Sequence, residues 1–328
     1  MDNALTASAK SSIQTSPAEI LVQEAFQLAL ARGLDKVWKR EFDVLQQGMQ
    51  FVREESISRE SASYQTYRTL GGLVSQSRDT DEIPYITTGD GFGFSVQTYN
   101  YRTGIAIERT LDEVDDVGVS RGRQMEMTDM CKRTFEYAIA DVFNRGINPT
   151  NAPVLCDDGM YLIDTARPNA NPKAGTWSNQ EANSAITPSA IFQAQLNARA
   201  TTDENGELAP QKIRAIICRP QDSKTLWEIR NSNYRPTDAM NVNNYFKEFK
   251  DATFDVVVYD YLTSSSIFYV LNDPKSDNNE LMFFWRVRPE FKTWLDGSNP
   301  DVTRQRVRFA FGIGVGSPRK MWRGGVIT

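Results

Sequence analysis

Not one histidine occurs in the 328 residues. Histidine is the usual general base near neutral pH and the commonest metal ligand. Its absence excludes Ser-His-Asp and Cys-His nucleophile systems, His-Glu-x-x-His zinc sites and the two-histidine-one-carboxylate iron site. Cysteine is scarce too: Cys131, Cys156 and Cys218 are odd in number, widely spaced and without a Cys-x-x-Cys pair. They offer neither a zinc site nor a disulfide framework and read as reduced, buried residues. No lysine follows a glycine anywhere, so the loop that cradles nucleotide phosphates is missing. The longest apolar runs, near 254–259 and 267–271, fall far short of the ~20 residues of a membrane helix. The opening MDNALTASAK has no basic segment followed by an apolar stretch, so no secretory signal is expected, and the chain is expected to be made inside the cell. Lysine is also absent from the 92-residue span from Arg40 to Cys131 inclusive, although eight arginines follow Arg40 there.

What is present is ordinary for a globular protein: 40% hydrophobic, 24% charged, formal net charge −5. A chain of this length makes about two domains and buries about three quarters of its unfolded surface. Any catalysis is left to carboxylates or lysines.

The first fifteen residues are too polar to pack and read as an arm. Ser16-Pro17 is an N-cap followed by a proline at the first helical position, opening a helix to about Gly33. Over 34–49, Val37, Trp38, Phe42 and Leu45 form one apolar face. From residue 64 onward, β-branched and aromatic residues alternate with polar ones. Two long strands, 64–77 and 94–109, are expected, with a turn-rich tip at 78–93 and a bulge near Gly104. A two-stranded ribbon is not stable alone and is expected to lie across another chain.

Glu108, Asp112, Glu113, Asp115 and Asp116 come next. Acids in this place suit a helix entrance, which the dipole favours, better than a metal site. The helix at 120–145 is the longest pattern in the chain, with Met127, Met130, Cys131, Phe135, Ala138, Ile139, Val142 and Phe143 inward and a left-handed cap at Gly146. At ~1.5 Å per residue it is ~39 Å long and acts as a spine. Asp157-Asp158-Gly159 reads as a turn. Thr187-Pro188 opens a helix to about residue 200 with Ile191, Phe192 and Leu196 inward. A strand at 212–218, a helix at 220–230 and strands at 254–259, 266–271 and 281–288 complete a compact α+β unit. Strands at 291–295 and 304–315 follow.

Two clusters of charge stand out. The ribbon tip carries Asp79, Asp81, Glu82 and Asp90 against Arg78, whereas residues 302–328 hold Arg304, Arg306, Arg308, Arg319, Lys320 and Arg323 and no acid. Alternation places Arg304, Arg306 and Arg308 on one face of a strand and Val307, Phe309 and Phe311 on the other. Such a row suits a solvent face, an acidic protein surface or nucleic-acid phosphates. Gly312, Gly314 and Gly316 precede no helix pattern and so form no dinucleotide fingerprint.

The order of arm, ribbon, acidic step, long helix, loop, α+β unit and closing strands resembles the major capsid proteins of tailed bacteriophages, the Hong Kong 97-like fold. Local motifs carry the same likeness. Asp158-Gly159-Met160-Tyr161-Leu162, Asp164-Thr165-Ala166-Arg167-Pro168 and Gly175-Thr176-Trp177-Ser178-Asn179 resemble the segment after the spine helix in one capsid subgroup. Arg167 stands where that subgroup usually has histidine. Residues 308–315, RFAFGIGV, resemble its last strand.

The resemblance implies an α+β capsid fold: an N-terminal arm and helix (1–63), an extended β-ribbon loop (64–110), a peripheral domain with the spine helix and following loop (111–188), an axial α+β domain (189–288) and return strands of the peripheral domain (289–328). It further implies a structural protein without catalytic, cofactor or metal site, assembling with itself into pentamers and hexamers as an icosahedral shell around the phage genome. Scaffolding, portal and cement proteins and non-specifically contacted double-stranded DNA are the other partners it implies; a membrane is not. Location in the virion follows, with assembly in the host cytoplasm. The expected inter-subunit contacts are Arg78, Asp79, Asp81, Glu82 and Asp90 on the ribbon and Arg304, Arg306 and Arg308 on the tail. Some relatives weld their shells through a ribbon lysine, and this ribbon has none. An encapsulin-like protein compartment and a carboxylate- or lysine-dependent enzyme are the alternatives.

Overall fold

A computed structural model of the chain describes residues 47–67, 90–108, 118–146, 152–181, 186–233, 243–263, 267–272, 279–295, 302–320 and 322–326. The expected arm, the helices expected up to residue 46, most of the expected ribbon tip and residues 109–117 of the acidic step lie outside them. The chain divides into two compact units, one of Met1–Val44, Gly104–Asp129 and Phe291–Arg306, the other of Leu45–Thr103, Met130–Glu290 and Val307–Thr328.

The spine helix α1 runs Gly118–Asn144. In the second unit it buries Cys131, Phe135, Ile139, Ala140, Val142 and Phe143, spaced by three and four residues. Met130 is the exception to the sequence reading and is exposed. Gly146 closes the helix without a left-handed backbone. The reason for glycine there is proximity: a Cβ would stand 2.7 Å from the Val142 carbonyl and 3.2 Å from Leu162.

Four strands, β1 (Arg53–Ser56), β4 (Tyr99–Glu108), β11 (Leu281–Leu295) and β12 (Val302–Val315), form a sheet in the order β1-β11-β12-β4. β1 runs parallel to β11, with Arg53 opposite Met282. Within the second unit Phe135 sits among Phe283, Trp285, Phe309 and Phe311, with ring centroids 4.8–6.1 Å away. Fully burying each such side chain contributes about 1.5–3 kcal/mol. β11 is one continuous strand through Pro289, where the sequence suggested two. Proline is tolerated there because the β1 pairing ends at Trp285.

The ribbon differs from its sequence reading. β2 (Ser61–Tyr67) pairs antiparallel with β3 (Asp90–Gln97), with a register shift between Gln65 and Tyr67. The partner strand breaks at Thr98, whose N–H and hydroxyl both donate to the Glu60 carbonyl (2.8 and 3.0 Å). Beyond that point the chain leaves for the four-stranded sheet as β4. Gly104 lies against β12, where a Cβ would meet the Gln305 carbonyl at 2.7 Å. The base of the ribbon packs on its own chain, with Phe94, Val96, Ile57, Met282 and Phe284 forming one cluster and Tyr64 stacked on Phe94.

The α+β part carries a five-stranded sheet in the order β7 (Gln180–Glu181), β13 (Trp322–Val326), β10 (Ile267–Leu271), β8 (Ala215–Cys218), β9 (Asp255–Val258). The last strand of the chain thus joins this sheet, whereas 281–288, expected in it, belongs to the other. Short pairs β5 (Arg167–Pro168) and β6 (Thr176–Trp177) lie in the loop after α1. Helices α2 (Pro188–Arg199), α3 (Pro220–Asn231) and α4 (Tyr245–Glu248) complete this part. The Thr187 side chain accepts from the Ala190 N–H, as its N-cap place requires. The core beneath is Ile191, Ala194, Ala198, Ile216, Leu226, Ile229, Phe254 and Phe268. Phe192 and Leu196, read as inward, are 41% and 44% exposed, because α2 turns its small Ala190-Ala194-Ala198 stripe inward.

Candidate functional site

None of the three cysteines is an activated nucleophile. Cys131, Cys156 and Cys218 are free and buried, and burial pushes each thiol up to about 12. No group of three His, Cys, Asp or Glu side chains among the described residues is placed to hold a metal ion.

The features that stand out are surfaces. On β12, Arg304 and Arg306 are exposed and Arg308 is half-buried. The guanidinium of Arg306 lies 5.4 Å from the ring of Trp294, itself 42% exposed. The Nε of Arg308 is buried without a hydrogen-bond partner among the described residues. Buried N–H groups are almost always paired in a finished structure. Of the expected ribbon contacts, Asp90 begins β3 opposite Tyr67. Arg78, Asp79, Asp81 and Glu82 lie outside the described residues.

Sequence reasoning missed an aromatic patch. Phe192 on α2 meets Tyr245 on α4 edge-on at 5.6 Å, and Tyr245 stacks on Phe249 at 5.4 Å. Phe249 is 47% exposed, and Leu196 stands one turn beyond Phe192 on the same helix. Contiguous exposed apolar patches of this kind mark association surfaces.

It also missed the knot in the loop after α1. Gly159 (φ +76°) permits the expected turn, and the turn delivers Asp158 to Arg167. Arg167 is fully buried; its Nε and Nη2 donate to the two Asp158 oxygens at 2.9 and 2.8 Å, and its Nη1 donates to the carbonyls of Tyr161 and Leu162. Two guanidinium groups approach the Trp177 ring, Arg167 at 5.5 Å and Arg319 at 4.2 Å from its centroid. Arg319 donates to the Thr202 and Asp203 carbonyls and to Asn169 Oδ1. The signal available in sequence was a charged pair nine residues apart around a glycine turn, which does not by itself announce burial.

Comparison with known proteins agrees with this arrangement. Residues 91–326 match the family described as phage capsid protein. No curated protein matches the sequence. Among solved structures, the capsid of Ralstonia phage GP4 is similar at TM-score 0.53 and 12% identity, covering 84% of this chain and 86% of that one. A chain from Microbacterium phage Oxtober96 gives 0.51 at 13% identity over 86% and 90%. A virus-like particle from Pyrococcus furiosus gives 0.52 at 10% identity over 91% and 99%. The fold is the Hong Kong 97-like capsid fold. The chain belongs to the phage capsid protein family and is a structural major capsid protein of the tailed-phage type, a component of the virion shell that self-associates. The compartment reading gains nothing over this, since the family match is to phage capsids.

Proposed function

We propose that the subunit closes into pentamers and hexamers and that the exposed basic row of β12 meets the acidic ribbon tip of a neighbouring copy. The observation that carries this is Arg308, whose buried Nε finds no acceptor among the described residues. Arg304 and Arg306 extend the same face of the strand. The sequence supplies the complement in Asp79, Asp81, Glu82 and Asp90. Single exposed ion pairs contribute only ~0–1 kcal/mol, but a ring repeats each contact at every subunit. The aromatic patch of Phe192, Tyr245 and Phe249 adds apolar contact area, which an interface core needs. The five domains proposed from sequence, assembly in the host cytoplasm, scaffolding, portal and cement partners, and loose contact with packaged double-stranded DNA complete the reading. A net charge of −5 suits DNA that must later be released. No catalytic role is proposed.

The test is charge reversal. Arg304→Glu with Arg306→Glu is expected to leave the subunit folded, with an unchanged circular dichroism spectrum, and to block shell closure. Adding Asp79→Lys, Asp81→Lys and Glu82→Lys to the same chain is expected to restore closure in part. Shells of the double variant that resist heat and salt like the parent protein would show that the row is merely solvent-facing.

A further inference from the structure

In the first unit, the end of the β11 and β12 pair carries bases and no acid among the described residues. Alternation along 291–295 and 302–306 exposes Lys292, Trp294, Arg304 and Arg306 on one face, and leaves Phe291 and Thr293 half-buried and Thr303 and Gln305 buried on the other. The Arg306 guanidinium stands over the Trp294 ring, 5.4 Å from its centroid, yet the tryptophan is still 42% exposed. Tryptophan is usually largely buried, and Trp and Arg are the residues that most often carry the binding energy of an interface.

The complement is written in the sequence of the expected ribbon tip, where Asp79, Asp81 and Glu82 run directly into Ile83-Pro84-Tyr85. Acids adjoin an apolar run there, as Lys292 adjoins Trp294 here. We propose that Trp294 is the apolar anchor of the contact between copies, taking Ile83-Pro84-Tyr85 of a neighbouring chain while Lys292, Arg304 and Arg306 take its Asp79, Asp81 and Glu82. This rests on the reading that the basic row of β12 meets an acidic ribbon tip, and adds what fixes the register. Glu82 and Pro84 are two residues apart, as are Lys292 and Trp294, and in extended chain both steps span about 7 Å. When Glu82 pairs with Lys292, Pro84 therefore comes to the indole. Proline has little freedom left to lose on docking, and aromatic surfaces are what proline-bearing segments dock on. Exposed ion pairs contribute little and are screened by salt, whereas apolar burial is not screened. The anchor thus supplies affinity and the charges choose the partner.

Two experiments separate the anchor from the charge contact on which it rests. A carbodiimide couples a carboxylate to a lysine amine that touches it. In assemblies formed from isotopically heavy and light copies of the unaltered chain, the expected product is an amide joining Lys292 of one copy to Asp79, Asp81 or Glu82 of another, identified by mass spectrometry of the digest. No such link, or links confined to one copy, would overturn both the anchor and the charge contact.

The second experiment addresses the indole itself. Trp294→Ala is expected to raise the protein concentration needed for assembly about tenfold, with an unchanged circular dichroism spectrum and an unchanged dependence on salt, and Trp294→Phe to keep most of the parent's behaviour. Arg304→Glu with Arg306→Glu is instead expected to flatten the salt dependence. Should Trp294→Ala not fold, Pro84→Ala with Tyr85→Ala alters the segment that the anchor takes and is expected to give the same loss. Assembly of these variants at the parent's concentration, with the Lys292 link intact, would overturn the anchor and leave the charge contact standing. An aromatic ring among bases also suits single-stranded nucleic acid. Normal assembly of Trp294→Ala together with a loss of bound DNA would assign the ring to that partner and overturn the proposal.

Discussion

Replacing Arg167 by methionine is expected to cost the subunit about 3–5 kcal/mol, the usual consequence of removing one partner of a buried ion pair. Whole-domain stability is only about 5–15 kcal/mol, so the variant should accumulate as aggregate or be degraded. The loss is large because the two Asp158 oxygens would remain buried without their cation, and the Tyr161 carbonyl would lose its donor. The Leu162 carbonyl would retain the Asn179 side-chain amide at 2.7 Å. Trp177 would keep only the Arg319 guanidinium over its face. Adding Asp158→Asn should return part of the stability by removing the stranded charge, so the two substitutions are expected to be strongly non-additive. Chemical denaturation of the single and double variants checks this. Additive losses would mean that the pair is not the unit of stability here.

The second large effect is expected at Gly312. A Cβ there would stand 2.5 Å from the Gln97 carbonyl oxygen and 2.9 Å from Val96, and backbone cannot move aside as a flexible side chain can. Gly314 is as tight, 2.4 Å from Val96 and 2.9 Å from Phe94. These glycines let β3 lie directly on β12, where any larger residue would prise the ribbon base from the sheet. Gly312→Val is expected to cost about 1–3 kcal/mol through overpacking, with protease cleavage concentrating at 90–97. A variant with unchanged melting temperature and cleavage pattern would contradict the close approach.

Periodicity made the spine helix legible, since Phe135, Ile139 and Phe143 recur every turn and all are buried. The basic row was legible for the same reason, as strand alternation must put Arg304, Arg306 and Arg308 on one side. Other features depend on contacts that no local pattern encodes. Phe192 and Leu196 satisfy helical spacing as well as the alanines do, and only the close packing of α2 on its core chooses the alanines. The break at Thr98 is set by the Glu60 carbonyl, 38 residues away. Gly312 and Gly314 look like an idle glycine run until β3 is laid against them. Arg167 and Asp158 look like ordinary loop charges until the turn at Gly159 closes around them.

Self-association is the property on which the account rests, and negative-stain imaging of the purified chain after gradient sedimentation tests it most directly. The expected result is closed shells, or rings of five and six, in physiological salt. A monodisperse monomer that stays single at high concentration under those conditions would contradict the account.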